Sequence, residues 1–383
     1  MTVARVVALQ HRLLHYRCEL FQQLRDALAQ ADIEFHLVHG QASPTEESRR
    51  DEGSLDWADR VTNRWRRVGD VDLLWQPLPR ELRDVDLVIV MQENRILSNY
   101  PILLSSRWRA GRVAYWGHGA NLQSRKPKGL RERWRRLLLH RVDWWFGYTS
   151  LTVRLLEDAG FPTDRLTCLN NAIDTRGFRH AVKGVSAEAL AETRQRLSVP
   201  DHGAVGLYCG SLYPDKRLEL LIAASDHIHA RIPGFKLIVI GDGPSRAFLE
   251  SASRERDWVR FVGVRRGAEK ALFFRLADII LNPGAVGLNV LDAFAAGVPL
   301  VTTTNALHGP EIAYLLQGVN GLLVNDSTED YGGTVLALLQ DPGRLRGMSQ
   351  AALASSGEYS LEEMVRRFSQ GIQACLAAPK RLS

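Results

Sequence analysis

Short apolar runs alternate along the chain with segments in which apolar residues recur every three or four positions. The short runs have the length and composition of buried strands, and the longer segments have the period of amphipathic helices. In the first half, strands are predicted at 4–9, 33–39, 87–91, 112–116, 144–148 and, more weakly, 165–169. Helical periodicity covers 16–30 and 152–158, whereas the polar stretch 41–70 predicts a long loop. The alternation is typical of α/β domains with parallel sheets.

The second half repeats this pattern more regularly. Strands are predicted at 204–209, 236–240, 259–262, 279–282, 300–303 and 321–324. Helices are predicted at 187–197, 218–230, 245–252, 268–276, 288–296, 310–316 and 328–339. The pattern predicts a second α/β domain of the same architecture, although the two halves share no sequence repeat.

A chain of 383 residues is too long for one ordinary domain. The polar stretch 178–202 separates the two patterns, so we expect one domain at 1–180 and another at 181–383. The last helical pattern, 361–376, could pack on either domain. Open α/β sheets bind ligands beyond the carboxyl ends of their strands. We therefore expect two Rossmann-like, doubly wound domains that face each other across a ligand-binding cleft.

The net charge of +6 comes from one segment, 125–141, which holds eight Lys or Arg residues and one Glu. Within it Leu130, Trp134, Leu137 and Leu138 fall on one face of a helix. A basic amphipathic helix with a Trp suits an anionic membrane surface, and a solvated domain helix is the alternative. Zinc-finger spacing and RNP-like aromatic motifs are lacking, so we expect membrane-surface contact and no nucleic acid.

The remaining composition bears on the cellular compartment. The four cysteines lie far apart, which argues against a disulfide framework or a cysteine zinc site. The first residues lack the apolar core of a signal peptide, and no apolar stretch has the length of a membrane span. We expect a cytoplasmic protein, peripheral on the inner membrane face if 125–141 binds lipid.

Two segments of the second half suggest an anion site. Gly210 allows a tight exit from a strand, and Lys216 and Arg217 then stand side by side at the start of a helix. A second strand leads into the small-residue turn 284–287 and another helix, whose free N–H groups and positive dipole would favour an anion. Asp292 lies one turn inside that helix, where its carboxylate could accept hydrogen bonds from sugar hydroxyls. Two solvated cations and a glycine-capped helix are the alternative interpretation.

These segments occur in the order and at the spacing of the nucleotide-binding half of family 4 retaining glycosyltransferases, the group 1 glycosyltransferases, which residues 205–325 resemble. The motifs that carry the resemblance are Gly210 with Lys216-Arg217, 240–244, 261–263, 277–278, 283–288, 292–299 and 311–321. The first half is similar only at Tyr16-Arg17 and 169–174. The resemblance implies the GT-B fold and a nucleoside diphosphate sugar as donor substrate. It implies a donor site at Gly210, Ser211, Lys216, Arg217, Gly243, Val264, Gly287, Leu288, Asn289 and Asp292.

Two positions depart from the family pattern. Ser211 stands where the family commonly has an arginine on the donor diphosphate, and Arg217 could substitute for it. Gly284 stands where the family has the first of two glutamates, which by analogy contacts the donor sugar. Asp292 replaces the second glutamate conservatively, so ribose binding is expected while sugar recognition must differ.

In the first half, two residues follow strands at their carboxyl ends. His118 lies between glycines after the strand 112–116, and Glu93 follows the strand 87–91. We expect His118 to contact the donor sugar and Glu93 the acceptor. The two Asp-Val-Asp motifs, at 70–72 and 84–86, lie in a turn and before a strand, so we expect no metal site.

The combined expectation is a metal-independent, retaining glycosyltransferase without a cofactor, which uses Lys216, His118 and Glu93 in catalysis. It would move a sugar from a nucleoside diphosphate to a lipid-linked or saccharide acceptor in cell-surface polysaccharide or glycolipid synthesis. A sugar-nucleotide epimerase of similar fold is one alternative. A catalytically silent subunit that still binds nucleotide is the other, and Gly284 and Ser211 favour it.

Overall fold

The structure, a computed structural model, describes residues 3–47, 51–104, 111–119 and 138–381. The chain divides into two units. Unit 1 comprises Met1–Ile173 and Leu361–Ser383, and unit 2 comprises Asp174–Ser360.

Unit 1 is built on a parallel sheet of seven strands in the order β3-β2-β1-β6-β7-β8-β9. The strands of unit 1 are β1 (Ala4–Gln10), β2 (Ile33–His39), β3 (Asp59–Arg60), β4 (Arg64–Val68), β5 (Val71–Trp75), β6 (Leu87–Met91), β7 (Arg112–Gly117), β8 (Trp144–Gly147) and β9 (Leu166–Cys168). Strands β4 and β5 form a separate antiparallel hairpin. The central strands β6 and β8 consist almost entirely of buried residues, as a sheet covered on both faces requires.

Unit 2 contains a parallel sheet of six strands in the order β12-β11-β10-β13-β14-β15. Its strands are β10 (Val205–Cys209), β11 (Lys236–Ile240), β12 (Val259–Gly263), β13 (Ile279–Leu281), β14 (Leu300–Thr303) and β15 (Gly321–Val324). Every residue of β11 is buried. The strand order reverses between β10 and β13, which makes the carboxyl ends of these strands the expected ligand edge of the unit.

Helices cover the sheets of both units. They are α1 (Cys18–Ala29), α2 (Asn99–Leu104), α3 (Ser150–Asp158), α4 (Thr175–Lys183), α5 (Ala187–Arg196), α6 (Leu218–His229), α7 (Arg246–Ala252), α8 (Gly267–Leu276), α9 (Asn289–Ala296), α10 (Thr328–Leu339), α11 (Pro342–Glu358) and α12 (Leu361–Ala377). Most of these elements lie where the periodicity predicts them. Helices α2, α4 and α11 are additional, and the helix predicted at 310–316 is a short 3-10 helix at Pro310–Tyr314.

The domain boundary needs a correction. The prediction assigns 181–383 to the second domain and leaves the helix at 361–376 undecided, whereas the structure divides the chain between Ile173 and Asp174 and returns the C-terminal segment to unit 1. Helix α12 packs on α1 there. Its buried residues Leu361, Met364, Phe368 and Ile372 follow helical spacing, so they form the apolar face that this packing requires.

The prediction of a long loop at 41–70 is wrong in part, because this stretch contains β3 and β4. Strand β4 reads Arg-Trp-Arg-Arg-Val, and its exposed arginines conceal the alternation that identifies a strand. The predicted basic helix at 125–141 lies outside the described residues except for its end, of which Leu138 and Leu139 are buried. Among the described residues, none of the helices has both the length and the apolar character needed to cross a membrane.

Candidate functional site

Glycines bring the loops after β10 and β11 into close contact. Gly241 has φ +142°, and a Cβ added there would overlap with the carbonyl oxygen of Gly210. A Cβ added at Gly243 would lie 2.6 Å from the oxygen of Leu212, whose N–H donates to the Asp242 oxygen at 2.9 Å. The Gly-x-Gly sequence therefore packs two loops together. Gly210 and Gly243, both predicted donor-site residues, lie on these neighbouring loops, with the exposed Ser211 between Gly210 and Leu212.

Lys216 ends the 3-10 helix Pro214–Lys216 that follows β10. Its Nζ donates to the Ala285 carbonyl at 2.7 Å and lies 3.8 Å from the Asp215 carboxylate. Burial lowers the pKa of Lys216, and the nearby Asp215 opposes this shift. The lysine is thus fixed against the loop that precedes α9.

Arg217 occupies the left-handed backbone region, with φ +52°, where α6 begins. Its guanidinium donates to Thr303 Oγ1 at 3.2 Å and pairs with Asp326 at 2.8 Å. Arg217 is therefore held toward the carboxyl ends of β14 and β15 rather than free in a turn. The structure brings Lys216 and Arg217 to the same edge of the sheet as the loop before α9.

Gly284 has no room for a side chain. A Cβ added there would overlap with the backbone of Lys216, and the Ala285 N–H donates to the Asp215 oxygen at 3.3 Å. The loop 284–287 therefore packs directly on the 3-10 helix that carries Lys216. This close packing leaves no room for a glutamate at the position where the resemblance implies the first of two.

The start of α9 is partly capped by its own residues. Asn289 Oδ1 accepts from the Gly287 N–H at 3.0 Å, and α9 begins at Asn289, one residue after the predicted start at Leu288. At Gly287 an added Cβ would meet open space. Gly287, Leu288 and Asn289 are half-buried, so this turn is accessible to a ligand beside Lys216.

His308 belongs to this region and was missed in the sequence. Its Nε2–H donates to the Thr303 oxygen at 2.7 Å, and its Nδ1 accepts from the Val286 N–H at 3.1 Å. Burial lowers the pKa of His308, and the charges of Arg217 and Lys216 lower it further. The ring is thus a neutral tautomer that fixes the loop 284–287 to β14. A lone histidine between short polar segments carries no sequence signal for such a role.

Asp292 lies in the first turn of α9 and is buried. Lys270 of α8 donates to its Oδ2 at 2.6 Å. Burial raises the pKa of Asp292, and Lys270 opposes this shift. Asp292, the residue predicted to bind the ribose, is therefore already in a charge-assisted ion pair. Its partner Lys270 was not predicted. Val264, which follows β12, is 52% exposed at the same edge of the sheet.

In unit 1, Glu93 is part of a network of charged side chains after β1 and β6. Arg95 Nε donates to Glu93 Oε2 at 2.6 Å, and Arg95 also donates to Glu46 Oε1 at 3.1 Å. His11, itself buried, lies 3.7 Å from both carboxylates. His11 and Arg95 lower the pKa of Glu46 well below its usual range, against the effect of burial. The sequence predicted Glu93 alone. Arg95 is two residues away, but Glu46 and His11 come from distant segments.

His118 lies close to Glu93 in the fold, since the two follow the adjacent strands β7 and β6. The Gly119 N–H donates to Gln92 Oε1 at 3.1 Å, which ties the two loops together. The His118 ring is exposed and contacts Tyr148 edge to face at a centroid distance of 4.3 Å. Unit 1 thus presents an imidazole and a carboxylate at one edge of its sheet.

The aspartate pairs occupy the positions that the sequence indicated. The exception is Asp72: Asp70 lies in the β4–β5 turn, whereas Asp72 lies in β5, where it accepts a hydrogen bond from Thr45. Asp86 accepts from the Arg5 backbone N–H at 2.8 Å, at the amino end of the sheet. Among the described residues, no group of three or more His, Cys, Asp or Glu could hold a metal ion.

The comparisons with known proteins agree with this geometry. Residues 203–341 match the model of the family described as glycosyl transferases group 1. The chain is 23% identical over 216 residues to alpha-monoglucosyldiacylglycerol synthase of Acholeplasma laidlawii, covering 55% of this chain and 52% of the relative. It is 29% identical over 183 residues to D-inositol 3-phosphate glycosyltransferase of Segniliparus rotundus, covering 45% of this chain and 40% of the relative. The chain thus spans about half the length of these curated relatives, or less.

The whole chain also matches solved structures. It superimposes on Anabaena HepE in complex with UDP with a TM-score of 0.68 at 15% identity, over 97% of this chain and 99% of that one. A WaaG glycosyltransferase involved in lipopolysaccharide biosynthesis gives a TM-score of 0.60 at 13% identity, over 95% and 98% of the two chains. The two parallel-sheet units are those of the GT-B fold, which confirms the predicted fold class. Residues 203–341 are thus similar to the group 1 glycosyltransferases.

Proposed function

We propose that this protein is a glycosyltransferase that takes a sugar from a nucleoside diphosphate. The observation that carries the proposal is the position of two cations at one edge of the sheet. The Lys216 ammonium group donates to Ala285 in the loop 284–287, and the Arg217 guanidinium group is held at the end of β14 by Thr303. Cations beside an accessible turn at a helix start suit a diphosphate. The match of residues 203–341 to the group 1 glycosyltransferases supports this use of the site, and the UDP bound to HepE suggests UDP as the first nucleotide to test.

In this proposal the chain itself stabilises the leaving group. Negative charge grows on the diphosphate as the glycosidic bond breaks. Lys216, Arg217 and the turn at Gly287 would stabilise that charge. Electrostatic stabilisation of this kind is commonly the largest catalytic contribution. We propose that the reaction needs no metal ion or cofactor and that it retains the anomeric configuration, as the family resemblance implies.

The acceptor would be bound by unit 1. His118 and Glu93 supply an imidazole and a carboxylate that can orient hydroxyl groups, and Arg95 holds Glu93 in place by a hydrogen bond. We propose a lipid-linked or saccharide acceptor, a class that includes the products named for the glucosyldiacylglycerol relative. The basic segment 125–141 would hold the protein on the inner face of the membrane, with cell-surface polysaccharide or glycolipid synthesis as its setting.

A catalytically silent subunit is the second candidate. The absence of space for a side chain at Gly284 favours it, because the family's sugar-contacting glutamate cannot be accommodated there. Such a subunit would bind a nucleotide without transferring or hydrolysing the sugar. An epimerase of similar fold would instead convert a nucleotide sugar without any acceptor.

The experiment is a ligand screen followed by an activity assay. A thermal-shift screen against UDP, GDP, ADP, CMP, dTDP and their sugars identifies the donor, because ligands that bind the native state raise its Tm. The identified donor is then incubated with and without lipid-linked and saccharide acceptors, and with chelator. Acceptor-dependent release of nucleoside diphosphate supports the proposal. Binding without turnover favours the silent subunit, and conversion without an acceptor favours the epimerase.

A further inference from the structure

We propose that Lys270 of α8 is a positioning residue of the donor site, which fixes the Asp292 carboxylate so that its second oxygen faces the ribose of the nucleotide. The inference rests on the proposed function, which supplies the nucleotide. It adds a residue that none of the motifs shared with the family contains, and it predicts a preference for ribonucleotides.

The first support is the geometry of the ion pair. Lys270 Nζ lies 2.6 Å from Asp292 Oδ2, and the two side chains are 20% and 11% exposed. A charge-assisted hydrogen bond of this length, shielded from solvent, is stronger than an exposed pair. Within the described residues, the hydrogen bond of this carboxylate is made by Oδ2. Oδ1 is therefore the atom that can accept from a ligand.

The second support is the way in which Lys270 itself is held. Its Nζ lies 4.6 Å from the ring centre of Phe178 in α4 and 5.6 Å from that of Phe274 in α8. The two rings meet edge to face at 5.2 Å. Cation–π contacts to two rings restrict an otherwise flexible ammonium group. Lys270 thus has the fixed position that orienting a partner requires.

The third support is electrostatic. Asp292 is buried, and burial alone favours its neutral form. The titratable groups that face it are Lys270 and Cys209 at the end of β10, and burial raises the pKa of the Cys209 thiol to about 12, so that this group stays uncharged. Lys270 is the cation that favours the ionised form of Asp292 against this burial. An ionised carboxylate accepts hydrogen bonds from two hydroxyl groups. A protonated carboxyl group also donates a hydrogen bond, so it is less selective between ligands that donate and ligands that accept.

The chain offers a matched control for this lysine. Lys236 is also buried and lies 3.9 Å from the Asp257 carboxylate. It begins β11, at the end of the strand opposite the loop with Gly241. Lys236→Met therefore removes a lysine with similar burial from the same unit without touching the proposed nucleotide site.

The test is calorimetric titration of the full chain with UDP and with 2′-deoxy-UDP. We expect wild type and Lys236→Met to bind UDP more tightly than the deoxy analogue. Lys270→Met should bind UDP about tenfold more weakly than wild type does, as expected for the loss of one charge-assisted hydrogen bond. Its affinity for 2′-deoxy-UDP should hardly change. The loss should grow as the pH is lowered, because Asp292 without its cation is protonated at higher pH. Lys270→Arg should restore part of the preference.

The outcomes separate this inference from the proposed function. If Lys270→Met weakens both nucleotides equally, or lowers Tm without changing their ratio, the role of Lys270 is overturned while nucleotide binding stands. If wild type binds neither UDP nor any other nucleoside diphosphate, the proposed function fails, and the role of Lys270 fails with it.

Discussion

The two units present charged residues at the carboxyl ends of their sheets in different ways. In unit 2, Lys216 bonds to the Ala285 carbonyl, and the loops around it are packed through Gly284 and Gly241. In unit 1, Arg95 is bound by two carboxylates, those of Glu93 and Glu46. Among the residues that the structure describes, Lys216 and Arg217 each have one carboxylate within 4 Å, at 3.8 Å and 2.8 Å, whereas Arg95 has two, at 2.6 Å and 3.1 Å.

Because of this difference, the two units favour different kinds of ligand. Lys216 and Arg217 of unit 2 each have a single carboxylate nearby in the described part of the chain, and they lie at the same edge of the sheet as an accessible turn, which favours an anionic ligand such as a diphosphate. The network of unit 1 is balanced, so it favours neutral, hydroxyl-rich ligands that exchange hydrogen bonds with it. The division matches the proposed donor and acceptor roles.

The largest expected effect is the loss of Lys216. Lys216→Ala should reduce sugar transfer on the order of 10²-fold, as the removal of one oxyanion donor does elsewhere. Initial-rate assays with saturating acceptor measure the change, and Lys236→Ala, at the opposite end of the sheet, is the control that should retain wild-type turnover. Full activity of Lys216→Ala would remove the lysine from the mechanism.

The glycine packing is tested next. Gly284→Ala should lower the free energy of unfolding by up to about 3 kcal/mol, because the added Cβ overlaps with the Lys216 backbone. Gly287→Ala, where an added Cβ meets open space, is the matched control and should change it little. Urea denaturation of both variants measures the difference. Equal stabilities would mean that the two loops do not pack as described.

The balanced network of unit 1 predicts a pH-dependent effect. His11 and Arg95 hold the pKa of Glu46 below that of the unfolded chain, so the carboxylate stabilises the fold above its unfolded pKa and loses this contribution as the pH falls through its folded pKa. Glu46→Gln should therefore lower the free energy of unfolding by about 2 kcal/mol near neutral pH and by progressively less in acid. Denaturation curves across the acid range measure this convergence, and a constant difference would contradict the ionic network.

His308 should give the smallest effect. Burial lowers the pKa of His308, so the neutral ring stabilises the fold above the unfolded pKa and this contribution falls as the histidine is protonated in acid. His308→Phe should lower the free energy of unfolding by about 1 kcal/mol near neutral pH, which is the usual contribution of a hydrogen bond. NMR titration of the ring in wild type checks the lowered pKa directly, and an ordinary value would contradict a neutral tautomer between Val286 and Thr303.

The sequence predicts the elements of unit 2 well because β10, β11 and β13 are continuous apolar runs followed by glycines, a pattern that depends on local residues alone. The hairpin β4–β5 was missed because its outward residues include Arg64 and Arg66. Lys270, His308 and Glu46 were missed for another reason. Lys270 and Glu46 contact side chains from distant segments, and His308 bonds to the backbone of Thr303 and Val286. Such contacts leave no periodic signal in the sequence.

The central claim is that Lys216 and Arg217 bind the diphosphate of the donor. The most direct measurement compares the affinities of UDP and UMP, or of the corresponding pair for the base found in the screen, in wild type and Lys216→Ala. The account predicts that wild type binds the diphosphate at least about tenfold more tightly than the monophosphate, and that most of this preference disappears in the variant. An unchanged ratio in Lys216→Ala would contradict the account.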